Sequence, residues 1–311
     1  MAVRVPASTA NCGPGFDAVG IGLGRYDEYA VTVTNARGLV VLLHGEGAAD
    51  LPRDESHLVV RALREGLRVC GGPWLEELAE QGRGLVVECR NTIPMSAGMG
   101  SSASAIVGGL GVGFALTHSL AGSEPTLSDA DLALINTRAG LWEGHPDNSS
   151  ATVYGGLTLS WMPSPEVVRT AALSVHPDVE PVVLVPSSDR LSTSTARAAL
   201  PTYVPFGDAV QQAGRAALLT HALSSDPTLL FDATSDWLHQ EQRRQTYPAS
   251  MAAVDALRGL GLAAVISGAG PSTLVLVQSA LVDGVVAEVK SWGPGWQIVR
   301  PGVATNGLRL L

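Results

Sequence analysis

The chain has 311 residues, 46% of them hydrophobic and 16% charged. That is enough to bury a large core in one big or two ordinary domains, and too apolar for a disordered polymer. The net charge of −9 argues against a general nucleic-acid or anionic-membrane surface, while a local cationic pocket for phosphate stays compatible with it.

Cys12, Cys70 and Cys89 lack CxxC spacing and the histidines form no HExxH-like set. Neither a disulfide framework nor a zinc site is expected. The N-terminus shows no apolar leader, and no apolar run is read as approaching the ~18 residues that span a bilayer. Together these features predict a cytoplasmic protein.

In chain order, residues 2–6 read as a short strand. A long turn-rich run over 7–17 follows, with Asn11 and Asp17 set among glycine and proline, and strand alternation resumes over 26–34. Residues 39–44 predict another strand. Residues 55–70 predict an amphipathic helix with Arg61, Arg64 and Arg68 toward water.

An apolar strand over 84–89 then leads into Ile93-Pro94-Met95-Ser96-Ala97-Gly98-Met99-Gly100-Ser101-Ser102 and a helix over 103–120. Gly98 and Gly100 give the backbone conformations closed to other residues, and the serines supply hydroxyls beside the unpaired N–H groups and positive dipole end of a helix. A phosphate fits such an entrance. The loop is not a Walker A motif, because no Lys follows the glycines and the chain holds a single Lys, Lys290. Backbone amides, hydroxyls, a metal ion and arginine must therefore neutralise any nucleotide held there.

Ser128 opens a capped helix running to about residue 140. The polar cluster Glu143-Gly144-His145-Pro146-Asp147-Asn148 follows, expected directly before a strand over 152–161. Pro163-Ser164-Pro165 suggests a boundary between domains of residues 1–162 and 163–311. Beyond it strands are expected at 167–175 and 182–185, with Thr193 and Arg197 in the segment that follows. Helices are expected at 208–223, 228–240 and 249–260, with Arg243 at an element end. Two apolar strands flank Ser267-Gly268-Ala269-Gly270-Pro271, whose glycines suggest close backbone approach to the first domain. A helix over 282–292 and a strand over 296–300 close the chain.

Three of these stretches, residues 6–17, 93–105 and 267–271, resemble in order and spacing the motifs of the GHMP small-molecule kinases. The Glu143–Asn148 segment is most similar to the homoserine kinase family within that superfamily. The resemblance implies an α+β fold with a ribosomal-protein-S5-like N-terminal domain, a ferredoxin-like C-terminal domain and a site in the cleft between them. It implies ATP and Mg²⁺, and phosphorylation of the side-chain hydroxyl of L-homoserine on the route to threonine. Pro94, Ser96, Ala97, Gly98, Met99, Gly100, Ser101 and Ser102 would hold the nucleotide, with His57 beside the adenine where the family often has Asn.

Ser102 and Glu143 would hold the metal, and Thr193 would lie near the γ-phosphate. Asn11, Asp17, His145, Asn148, Arg197 and Arg243 would surround the amino acid, with Asn11, Asp17, Thr193 and Arg197 in the catalytic group. The expected partner is thus a small amino alcohol, with neither nucleic acid nor membrane, and the oligomer the resemblance suggests is a homodimer. Cys12, Met99, His57 and Ser149-Ser150-Ala151 depart from the family pattern. A kinase for another hydroxylated amino acid and a non-catalytic nucleotide or amino-acid sensor are the alternatives.

Overall fold

The computed structural model describes residues 1–187 and 193–311, and for residues 193–195 the backbone only. Its first half contains β1 (Ala2–Ala10), β2 (Val19–Thr34), β3 (Gly38–Gly45), α1 (Leu58–Cys70), α2 (Leu75–Glu80), β4 (Gly84–Asn91), α3 (Ser101–Leu120), α4 (Asp129–Glu143), α5 (Asp147–Tyr154), β5 (Leu157–Ser164) and β6 (Val167–Leu173). The second half contains β7 (Val179–Pro186), α6 (Thr193–Ala198), α7 (Phe206–Ser224), α8 (Leu230–Ala233), α9 (Pro248–Gly259), β8 (Ala263–Ile266), β9 (Thr273–Gln278), α10 (Val282–Ser291), β10 (Trp296–Val299) and β11 (Arg309–Leu310).

The strands form two sheets. The first runs β11-β1-β2-β4-β3, with β5 joined to β2 and β6 joined to β5, and the second runs β10-β7-β9-β8. This is the expected mixed α+β architecture.

The largest core lies between the first sheet and helices α1 and α3, with Tyr29, Leu63, Leu67, Leu85, Val107 and Phe114 fully buried in it. The two helices approach backbone to backbone. A Cβ on Gly109 would fall 2.6 Å from the Ala62 Cβ, and one on Gly66 would fall 2.7 Å from the Leu110 carbonyl oxygen. Glycines on both sides of this crossing set its depth and fix where the start of α3 lies.

α3 is also long and apolar enough to cross a membrane by composition alone, contrary to the sequence expectation. Its most apolar window is 72% buried inside the protein, so it serves as the central core helix.

Several expected boundaries move for physical reasons. The run over 7–17 is only partly a loop, because β1 continues to Ala10 across a register shift at Pro6/Ala7 and pairs with β2 from Gly20 onward. The polar cluster does not precede a strand directly, since Asp147–Tyr154 forms α5 and the strand begins only at Leu157. Pro163 and Ser164 end β5, and Pro165 lies in the turn to β6, the next strand of the same sheet. The change from first to second sheet comes between Leu173 and Val179.

The helix expected over 228–240 is broken into a 3-10 turn at Pro227–Leu229 and the single-turn α8. There Asp236 instead accepts from the backbone N–H groups of Leu238, His239 and Gln240. A carboxylate that satisfies three local donors competes directly with helix continuation.

Candidate active site

The strand-loop-helix at the centre of the sequence forms as expected, with β4 ending at Asn91 and α3 beginning at Ser101. Gly98 and Gly100 have φ of 70° and 71°, and Ser96 joins them at 54°. Asn11, Cys12 and Phe16, in the segment leading to β2, complete the non-glycine residues with positive φ among those described. Left-handed backbone at residues other than glycine costs energy and collects where a ligand site demands it.

These two segments border one cavity of about 260 Å³. Its lining brings together Asn11, Asp17, His57, Glu143, His145, Asn148, Arg197, Arg243 and the loop from Ser96 to Ser102. Pro94 is buried behind the loop and is not among the lining residues. The Thr193 side chain lies outside the described residues.

The loop is fastened at both ends by a residue that carries no sequence signal. Asp27, buried on β2, accepts from the N–H groups of Thr92 and Ile93 at 2.6 and 3.0 Å. It also accepts from Ser104 Oγ and Tyr29 OH, both at 3.0 Å. Burial raises its pKa, and the four donors pull against that. Asn in its place cannot accept from all four. Asp27→Asn is expected to cost about 1–3 kcal/mol of stability and to weaken nucleotide binding, checked by denaturant unfolding and by titration with ADP.

The second-sheet loop closes against this one, as its glycines suggested. Ser267 Oγ donates to the Gly98 carbonyl at 2.6 Å, the Gly268 N–H to the Ala10 carbonyl at 3.1 Å, and Asn11 Nδ2 to the Gly268 carbonyl at 2.6 Å.

At the polar end, Arg197 makes a two-pronged bond to Asp17 at 2.6 and 3.2 Å. The pair is about a third exposed, so it remains open to exchange with a ligand. Arg243 is buried, with Nε donating to the Ala196 carbonyl at 2.8 Å and Nη1 to His239 Nδ1 at 3.2 Å. His239 in turn gives its Nε2 proton to the Gly13 carbonyl at 2.8 Å.

Phe16 lies with both guanidinium carbons 5.8 Å from its ring centroid and is stacked on His239 at 5.1 Å. Its ring therefore attracts both cations. No sequence pattern announces Phe16, since its partners come from distant segments.

His145 Nδ1 bonds the Asp147 carboxylate at 2.6 Å. Burial opposes charging His145, but Asp147 and Glu143 outweigh it and raise its pKa. Asp17, His145 and Asp147 bring ligand atoms within 4.8 Å of one another, giving a compact acidic cluster beside Arg197, which bonds Asp17. Asn148 Oδ1 accepts from Ser8 Oγ at 3.0 Å, which leaves its amide donors for the cavity.

Glu143 ends α4 beside the start of α3. Its pKa rises to about 7, first through burial, with Asp147 adding to the rise while His145, a hydrogen bond from Ser102 and Arg197 oppose it. Its Oε2 is buried without a partner. Asn11 Oδ1, His57 Nε2 and Asn91 Oδ1 share that condition, and all four residues line the one cavity. Buried polar atoms without partners are rare and costly, and four around one space mark a place for a ligand. The oxygen set of Ser102 and Glu143 suits a hard divalent cation.

A cleft with an anion-binding helix entrance at one end and an arginine–carboxylate cluster at the other is that of a small-molecule kinase. The models of the GHMP kinases N terminal domain and the GHMP kinases C terminal domain match residues 57–156 and 213–295. The homoserine kinase of Streptomyces coelicolor is 45% identical over 309 residues, covering 99% of this chain and 94% of its own. That of Rhodococcus erythropolis is 47% identical over 279 residues, covering 88% and 84%. The crystal structure of homoserine kinase from Cytophaga hutchinsonii superposes with a TM-score of 0.81 at 23% identity, over 100% of this chain and 97% of that one. The chain belongs to the GHMP kinase superfamily and, within it, to the homoserine kinase family.

Proposed function

We propose that this chain transfers the γ-phosphoryl group of ATP to the side-chain hydroxyl of L-homoserine, giving O-phospho-L-homoserine for threonine synthesis in the cytoplasm. The observation that carries the reading is the joining, in one cavity, of the 98–102 helix entrance to the exchangeable Arg197–Asp17 pair. A zwitterion can replace that ion pair with two new ones. Arg197 and Arg243 take its carboxylate, and Asp17 and Asp147 take its ammonium.

With both charged groups held, the side chain of the amino acid is directed along the cavity toward the loop. Asn11, Asn148 and His145 offer polar atoms along that path. The amides of Gly98 to Ser102 and the two serine hydroxyls grip the phosphates. Ser102 and Glu143 would hold Mg²⁺, which would supply charge neutralisation to the transferring group. Phosphoryl transfer needs alignment and charge neutralisation more than covalent help. Asp17 therefore acts as positioner first and acceptor of the hydroxyl proton second, and Thr193 is assigned to the γ-phosphate side.

An assay of ADP release over homoserine, threonine, serine, mevalonate and galactose tests this. Turnover is expected with homoserine. Turnover with mevalonate or a sugar and none with homoserine would reject the substrate. Tight nucleotide binding without turnover on any of them would favour a sensor. Arg197→Ala is expected to raise the KM for homoserine by roughly 10–100-fold, the usual scale for stranding one partner of a charged pair. An unchanged KM and kcat would remove Arg197 from the site.

A further inference from the structure

The segment that carries Phe16 and Asp17 is held from the second half of the chain by two successive carbonyls. His239 Nε2 bonds that of Gly13 at 2.8 Å, and Gln212 Nε2, on α7, bonds that of Pro14 at 2.9 Å. Gln212 also donates to Asp236 at 3.1 Å and accepts from the Trp237 N–H at 2.9 Å, while Asp236 accepts from the His239 N–H at 3.0 Å. The two backbones are close, since a Cβ on Gly13 would fall 2.5 Å from the Thr234 carbonyl oxygen. His239 is fully buried in this joint, with Phe16 stacked on its ring. Its bonds set its protonation state. A carbonyl can only accept, so Nε2 carries the proton, and the bare Nδ1 accepts from Arg243 Nη1 at 3.2 Å. Burial lowers the pKa of the ring and favours this neutral form.

We propose that His239 is a positioning residue for the amino acid: its bare Nδ1 fixes the plane of the Arg243 guanidinium, and its bond to Gly13 sets where that cation stands relative to Asp17. The inference rests on the assignment, made above, of Arg243 to the substrate carboxylate and Asp17 to its ammonium. Those two groups sit on one carbon of the substrate, so their partners must keep a fixed separation. Arg197 cannot supply the fixed point, because its own bond is to the exchangeable Asp17. Arg243 can, since its Nε is tied to the Ala196 carbonyl and its Nη1 to His239. A cation already oriented loses less freedom when the carboxylate arrives, and that gain appears as affinity.

Two amide replacements in the full chain separate the two bonds. Gln can set its Nε2 where the ring Nε2 stands, keeping the donor to Gly13 but offering Arg243 no acceptor at the Nδ1 position. Asn can set its Oδ1 where the ring Nδ1 stands, keeping the acceptor for Arg243 but losing the bond to Gly13. His239→Gln is expected to raise the KM for homoserine by roughly 10–100-fold, the scale of a lost hydrogen bond to a charged group. Its kcat and its affinity for ADP should each change by less than about 3-fold. His239→Asn is expected to keep the KM within about 5-fold of the parent. Asn is also the smaller side chain and leaves a cavity, so it should lower the unfolding midpoint more than Gln does. A merely structural role would make Asn the worse variant in KM as well as in stability. KM is read from the active molecules alone, so partial unfolding of either variant does not blur the comparison. Equal effects of the two variants on KM, whether small or complete, or the reverse order, overturn the positioning role and leave the substrate reading standing. Absence of homoserine turnover in the parent chain overturns the substrate reading itself.

Discussion

Glu143→Gln is expected to abolish turnover while making the protein more stable. The carboxyl ionises near 4.5 in the unfolded chain and near 7 in the folded one. Between those values folding takes up a proton, so the residue destabilises the native state increasingly as pH rises from 4.5 to 7. The penalty is constant above that range and absent below it.

A neutral amide removes the penalty. The gain is on the order of 1–3 kcal/mol at pH 8, a melting midpoint a few degrees higher that converges with the parent below pH 4.5. The same change removes the anionic oxygen proposed for the metal, so turnover should fall by roughly 100-fold or more. In the parent, the Mg²⁺ concentration for half-maximal rate should climb as pH drops below 7, because the proton and the metal compete for one carboxylate. Melting curves at pH 4 and pH 8 and a Mg²⁺ titration at pH 6 and pH 8 check each part. A destabilised variant with normal Mg²⁺ dependence would refute it.

The second large effect is expected from Gly98→Ala. The residue has φ of +70°, and an added Cβ would lie 2.2 Å from the Ser267 carbonyl oxygen and 3.1 Å from that of Gly270. Neither obstacle is the free end of a side chain. To relieve the clash the loop must shift away from Ser267, losing the bond from Ser267 Oγ to the Gly98 carbonyl. Backbone strain and overpacking together amount to about 2–4 kcal/mol. The redirected amides should cost more than 10-fold in ADP affinity. Denaturant unfolding and ADP titration measure the two effects. Gly71→Ala serves as the comparison, since it also has positive φ but an added Cβ there meets nothing within 4 Å.

Local chemistry made the glycine loop, the capped start of α4 and most strands legible, because each depends on neighbours in sequence. The Ser128 capping box forms as expected, with Asp131 and Ser128 bonded reciprocally. The failures share one cause. β1 extends to Ala10 because β2 offers it a ladder, and Asp147–Tyr154 is helical because it packs on β1, β2 and α3, facts that no short window contains.

The site was visible as separate polar clusters, and their convergence on one cavity follows the family resemblance. What stayed hidden are residues whose role exists only after folding. Asp27 gathers donors from β2, the loop and α3, Phe16 lies against two arginines, and Asn91 owes its orientation to Glu46. Thr193 remains a proposal from resemblance alone.

The two halves of the molecule touch at the phosphate loop through main-chain atoms, Gly98 against Ser267 and Ala10 against Gly268. Such a junction cannot part without stranding buried donors and acceptors. Opening of the protein at this point is therefore costly. The nucleotide end would stay rigid through the reaction cycle, and the traffic of amino acid and product would pass on the far side, where α6 carries Arg197.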